Sequence, residues 1–168
     1  MKIREKLIIV SLFLPENLFS GYGFCITFAQ KTMRILFIYC DLFEYRPARK
    51  TLDDFETVET GKTFRDIQTA FIHVEEEDEE NEASVIKKLV KNIKWICGKN
   101  GKKEVVLHSF AHLSNSKAEP AFTKSLFDKV EERLKNAGYS VAQTPFGYFL
   151  DLKVEAPGVS LARVYKEI

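Results

Sequence analysis

His108 and His112 stand four apart, with Ser109 and Ser114 beside them. On a helix, that spacing would put two imidazoles on one face, half of a metal site that still needs a third donor. Here the pair straddles the end of an apolar run, so no metal is expected. A serine–histidine couple is the other chemistry these types could perform, but it depends on spatial geometry that spacing does not supply. The string therefore reads as a turn. Lys87, Lys91, Lys94, Lys99, Lys102 and Lys103 form a basic stripe that would suit a phosphate backbone. No aromatic residues interleave to stack bases, so the stripe reads as a solvated face. A G-x-S-x-G elbow, a phosphate-cradling glycine loop and an H-E-x-x-H pair are all absent, and no cofactor is expected.

The elements that must hold such residues follow from length and pattern. The 168 residues suit one domain with an appendage, and 45% hydrophobic against 29% charged residues can fill a core. A formal charge of +1 creates no field that gathers nucleic acid or membrane. Cys25, Cys40 and Cys97 are odd in number and far apart, which suits buried thiols in a cytoplasmic protein rather than a zinc knuckle or disulfide frame. No apolar run reaches the roughly 18 residues of a membrane-spanning helix.

Residues 1–32 stand apart. Lys2, Arg4 and Lys6 precede an apolar stretch over 7–14, the outline of a secretory signal, but Pro15-Glu16-Asn17 interrupts it and no convincing cleavage site follows. Met33-Arg34-Ile35-Leu36-Phe37-Ile38-Tyr39-Cys40-Asp41 reads as a domain-opening strand, making 1–32 an extension or a misassigned start.

Within 33–168 the pattern predicts a strand at 34–40, a hairpin partner at 42–46, a loop at 51–62 and a strand at 66–74. Seven acidic residues in 75–82 are expected at the surface. Ala83, Ile86, Leu89, Ile93 and Ile96 recur at helical spacing, as do Phe122, Leu126, Val130 and Leu134 after Pro120. A strand at 104–107 lies between these helices, and strands at 139–143, 147–155 and 160–167 follow them. The order β-β-β-α-β-α-β-β-β argues for an α/β sandwich with helices stacked on a mixed sheet.

Four strings occur in order: Ile38-Tyr39-Cys40-Asp41-Leu42-Phe43-Glu44-Tyr45, Ala70-Phe71-Ile72-His73-Val74-Glu75, Phe110-Ala111-His112-Leu113-Ser114 and Pro145-Phe146-Gly147-Tyr148. Together, from Met33 to Ile168, they resemble the amino-terminal editing domain of archaeal threonyl-tRNA synthetases. The resemblance implies a three-layer α/β/β fold of the D-aminoacyl-tRNA deacylase type, usually dimeric. It also implies a substrate, serine wrongly esterified to threonine tRNA. A synthetic site rejects serine mainly by one missing methyl, worth about 1–3 kcal/mol, so a second hydrolytic sieve is useful.

Carried over by position, the resemblance assigns Val74, Ala111 and His112 to the seryl and adenosine pocket, with Phe146, Gly147, Tyr148 and Phe149 closing over it. Two departures touch the chemistry. Phe149-Leu150 stand where the family usually reads Tyr-Lys, and Leu150 has no group that could place water or stabilise an oxyanion. Arg163 replaces an acidic pocket residue and would disfavour a substrate ammonium if it faced the pocket. On a strand, Leu150 shares a face with Leu152 and Val154, leaving Asp151 and Lys153 on the other, so Lys153 is a poor substitute.

The expectation is a free-standing editing-type domain that binds the aminoacylated 3′ end of tRNA with weak or altered deacylase activity. Any synthetase catalytic subunit would be a separate polypeptide. The alternative is a catalytically silent paralogue that binds tRNA or partners a synthetase; either form is expected as a homodimer in the cytoplasm.

Overall fold

The computed structural model describes residues 33–168; residues 1–32, with Cys25 and the expected extension or misassigned start, lie outside the described residues. The elements run β1 (Arg34–Lys50), β2 (Lys62–His73), a 3-10 turn (Glu76–Asn81), α1 (Glu82–Lys99), β3 (Glu104–Ser109), α2 (Pro120–Asn136), β4 (Ser140–Gln143), β5 (Tyr148–Glu155) and β6 (Arg163–Glu167).

Six strands form one sheet in the order β4-β3-β2-β1-β5, with β6 also paired to β1. The pairs β2–β3 and β3–β4 are parallel, so α1 and α2 are crossover helices, and both cover the same face. Their apolar stripes explain why. Val85, Ile86, Leu89, Ile93, Ile96 and Cys97 of α1 are buried, as are Leu126, Phe127, Val130 and Leu134 of α2, against Ile35, Phe37, Ala70, Ile72, Val105 and Leu107 of the sheet. Fully burying each such side chain contributes about 1.5–3 kcal/mol.

The predicted hairpin partner at 42–46 is a continuation of β1. The reason lies in how the strand changes faces. Leu36, Ile38 and Cys40 join the second apolar cluster, on the face away from the helices, but beyond Asp41 it is Phe43 and Tyr45 that do so. On β2 the matching shift separates Phe64 from Ile67 and Phe71. Pairing is kept throughout, from Arg34 opposite His73 to Tyr45 opposite Lys62. At the switch, Asp66 takes a φ of 53°, a left-handed conformation that Asp tolerates better than most residues. Its carboxylate is held by Tyr39 and Lys102, and these bonds keep its pKa below the usual range. One strand thus replaces two, and the order becomes β-β-α-β-α-β-β-β.

The acidic run needs correction too. Glu75 is 0% and Asp78 4% exposed. Burial is tolerated because Arg34 pairs with Glu75 at 2.9 Å, while Asp78 accepts the Glu75 and Met33 backbone N–H groups at 2.8 and 3.3 Å. On β5, Leu152 and Val154 are 37% and 38% exposed rather than core, and Leu150 alone of that trio packs against the second cluster. Cys40 and Cys97 are buried, which pushes their thiols up to about 11 and about 12 and leaves them unreactive. No helix among the described residues is long and apolar enough to cross a membrane.

A short connection after β4 closes off one end of the sheet. Thr144 donates its N–H to Leu107 of β3 at 3.0 Å, while three residues later the Gly147 carbonyl accepts from Thr51, just beyond β1, at 2.7 Å. The segment from 144 to 147 therefore links the ends of strands that lie two places apart in the sheet.

Candidate active site

That closure brings distant pieces of sequence to one cavity of about 310 Å³. Val74, Ala111, His112, Phe146, Gly147, Tyr148 and Phe149, the residues assigned from the four strings, all line it. Thr51, Leu52, His108, Ser109, Lys117 and Thr123 line it as well.

Each wall has a visible cause. Val74 follows β2 and accepts the Ala118 N–H at 3.1 Å, fixing the far end of the loop after β3. The near end begins with Phe110 donating to the Ile72 carbonyl at 2.9 Å. Between them, buried His73 clamps the loop twice. Its Nδ1 accepts the Leu113 N–H at 3.2 Å, so the proton sits on Nε2, which donates to the Ser116 carbonyl at 2.6 Å. Arg34 adds a bond to the Leu113 carbonyl at 3.2 Å while holding Glu75. The second oxygen of Glu75 is buried without a partner. His112 and Lys117 thus flank a tightly bound stretch.

The opposite wall turns on Gly147, whose φ is +77° and whose missing Cβ would lie 3.0 Å from the Leu52 Cβ. Its carbonyl also accepts the Thr51 hydroxyl at 2.9 Å. Tyr148 accepts the Val58 N–H on its hydroxyl at 3.0 Å, which leaves its own proton free to donate. Phe146 packs edge-on to Phe55 at 4.8 Å, and Arg49 lies 5.0 Å over the ring of Phe149.

His108 sits on β3 rather than in a turn. Its Nδ1 meets the Thr144 hydroxyl at 2.9 Å, and its ring packs on Phe71 and Phe110. Burial, aided by neighbouring His112, depresses its pKa to about 4, so it is neutral near pH 7. Among the described residues, no cluster of His, Cys, Asp and Glu could hold a metal.

Neither departure position lines the cavity. Leu150 packs against the second cluster, and Arg163 lies on β6 opposite Ile38, reaching the Pro157 carbonyl at 3.4 Å. Arg163 therefore adds no charge to this pocket. Lys153 pairs with Glu155 at 2.9 Å and is also absent from the lining. Sequence reasoning missed His73 and Lys117, although both lie in or beside the quoted strings. Nothing in their spacing distinguished a clamp or a lining cation from a loop residue.

Another hollow of about 330 Å³ shares Pro145 and Phe146 with the first. Glu56, Asp128 and Glu131 line it beside one lysine, Lys124, which pairs with Asp128, and the net negative charge disfavours a nucleic-acid backbone.

Residues 33–168 match a family described as the archaea-specific editing domain of threonyl-tRNA synthetase. Among curated relatives, the threonine–tRNA ligase of Pyrococcus horikoshii is 36% identical and that of Thermococcus kodakarensis 34%, each over 81% of this chain. The chain spans 22% of the length of these relatives. In fold, it resembles the solved c-Myc DNA unwinding element binding protein, with a TM-score of 0.59 over 80% of this chain and 98% of that one. At 10% identity this likeness concerns the fold alone, the α/β class expected from the sequence.

Proposed function

From the premise that this chain belongs to the archaea-specific editing-domain family of threonyl-tRNA synthetases, we propose that it binds the aminoacylated 3′ end of tRNA and hydrolyses mischarged seryl-tRNA(Thr) slowly. The observation that carries this reading is the convergence of all seven assigned residues on one cavity, at the lower end of the ligand-sized range. Scattered residues would have removed its basis.

The reaction breaks the ester between the seryl carboxyl and the terminal ribose. Water oxygen bonds to the carbonyl carbon, and the ribose hydroxyl leaves carrying a proton. Tyr148, with its hydroxyl anchored by Val58 and its proton free, is placed to donate to oxygen in the cavity. Neutral His108 and the hydroxyls of Ser109 and Thr123 offer further hydrogen bonds. The chain supplies position, and the terminal ribose hydroxyl assists the water. Leu150 stands where the resemblance implies a lysine and has no group to act on water, which accounts for a low rate in this reading.

That same absence favours a second reading, a catalytically silent module that binds the tRNA end or partners a separate threonyl-tRNA synthetase catalytic subunit. Homodimerisation belongs to both readings. It is supported by the apolar side chains of Phe149, Leu152 and Val154 along edge strand β5, and sedimentation tests it.

Deacylation of seryl-tRNA(Thr) by the wild type, beside Leu150→Lys, separates the alternatives. On a strand, Leu150 shares a face with the cavity-lining Tyr148, so a lysine there points to the cavity's side of β5. Slow wild-type hydrolysis raised at least tenfold in the variant supports an editing pocket. No hydrolysis by either protein, with the tRNA end still bound, supports the silent module, and no binding at all refutes both.

A further inference from the structure

We propose that Lys117 is a phosphate-binding residue at the cavity mouth, holding the 5′-phosphate of the terminal adenosine. The inference rests on the tRNA-end reading above and assigns a contact that the four strings did not supply.

The first support is charge. No aspartate or glutamate lines this cavity, so Lys117 stands among two histidines, hydroxyls and apolar groups. Among the described residues it makes no ion pair, unlike Lys102, Lys124, Lys129, Lys135 and Lys153. An exposed, unneutralised ammonium beside a hollow is suited to an anion from solvent rather than to buried chemistry.

The second support is position. The residues on either side of Lys117 are fixed, Ser116 by the 2.6 Å bond from His73 and Ala118 by its 3.1 Å bond to Val74. Its Cα is therefore held while its four-carbon arm stays free to follow a backbone phosphate. The start of α2 is a poorer anchor, because the Glu79 carboxylate already accepts the Glu119 N–H there at 2.7 Å. Arg163, the basic residue that the sequence placed at the pocket, is outside the lining.

A terminal adenosine seated between the 146–149 wall and the 110–118 loop carries its phosphate outward, towards the preceding nucleotide. The contact should strengthen binding and leave the reacting ester alone, so it acts on KM and not on kcat.

The test is calorimetric titration with AMP, adenosine and a non-hydrolysable, phosphate-free seryl-adenosine mimic, using the wild type, Lys117→Gln and Lys117→Arg. The wild type should bind AMP about tenfold more tightly than adenosine at low salt, with the gap closing as salt rises. Lys117→Gln should abolish the gap while leaving adenosine and mimic affinities unchanged, and Lys117→Arg should keep it. Equal wild-type affinities for AMP and adenosine, or a gap that survives Lys117→Gln, overturns the proposal while mimic binding keeps the tRNA-end reading alive. If none of the three ligands binds, the tRNA-end reading fails and the proposal falls with it.

Discussion

Replacing His73 with phenylalanine tests whether one buried ring organises the loop after β3. The substitution keeps an aromatic of similar shape in a fully buried position, so cavity formation is minor. It removes both partners of the loop, leaving the Leu113 N–H and the Ser116 carbonyl unpaired. Each unsatisfied buried group costs about 1–3 kcal/mol. Both bonds are only partly buried, so water recovers some of that loss, and a net cost of about 2–3 kcal/mol is expected. For a domain of this size, that lowers Tm by about 6–12 °C. Guanidinium unfolding should show a lower midpoint at an unchanged m value. Hydrogen exchange should show the Leu113 amide losing protection before the amides of β3. Because His112 borders the released stretch and lines the cavity, affinity for the seryl-adenosine mimic should drop as well. A loss below about 0.5 kcal/mol, with Leu113 still protected, would show that the ring does not hold the loop.

Other perturbations address the remaining supports. Gly147→Ala combines a positive φ with a 3.0 Å approach to Leu52, so it should cost about 1–2 kcal/mol and weaken mimic binding; Gly158→Ala, with open space around it, should do neither. Arg34→Met leaves the fully buried Glu75 carboxylate without its close cation and should destabilise by about 3–5 kcal/mol in denaturant titration. His108→Asn should flatten the acid side of the stability profile. The unfolded imidazole takes up a proton near pH 6.5 and the folded one only near 4, so this group's contribution falls by up to about 3 kcal/mol as pH drops through that window. Asp78, raised to about 6 by burial, acts in the opposite sense over roughly pH 6 to 4, so the difference between wild type and His108→Asn is the quantity to measure. Parallel curves for the two proteins would refute the assignment.

The placement of the assigned residues and the fold class agree with the sequence more closely than the details of the strands do. Short strings such as Phe110-Ala111-His112-Leu113-Ser114 fixed which residues should gather, and the structure gathers them in one cavity. Helical periodicity likewise placed α1 and α2, because a one-sided apolar stripe is a local signal. Strand β1 was misread because its inward face changes at Asp41, matched by Asp66 on β2, and a change of alternation looks like the end of a strand. Glu75 and Asp78 were placed at the surface because composition treats seven acids alike. Two of them have partners contributed by Arg34 and by the Met33 backbone, more than forty residues earlier. Lys117 was invisible for a similar reason. Its role depends on which charges are missing around it, and that is known only once the walls are assembled.

The bond from Thr51 to Gly147 joins positions 96 apart in the chain, and one face of the cavity hangs on it. A growing polypeptide emerging from the ribosome could complete β1, β2 and both helices before that wall existed at all. The cavity would then take shape only once the segment around Gly147 had been made and had met Thr51. Such a dependence on contacts between distant positions slows folding, and it also means that a truncated chain would retain much of its hydrophobic interior while having no place for a ligand.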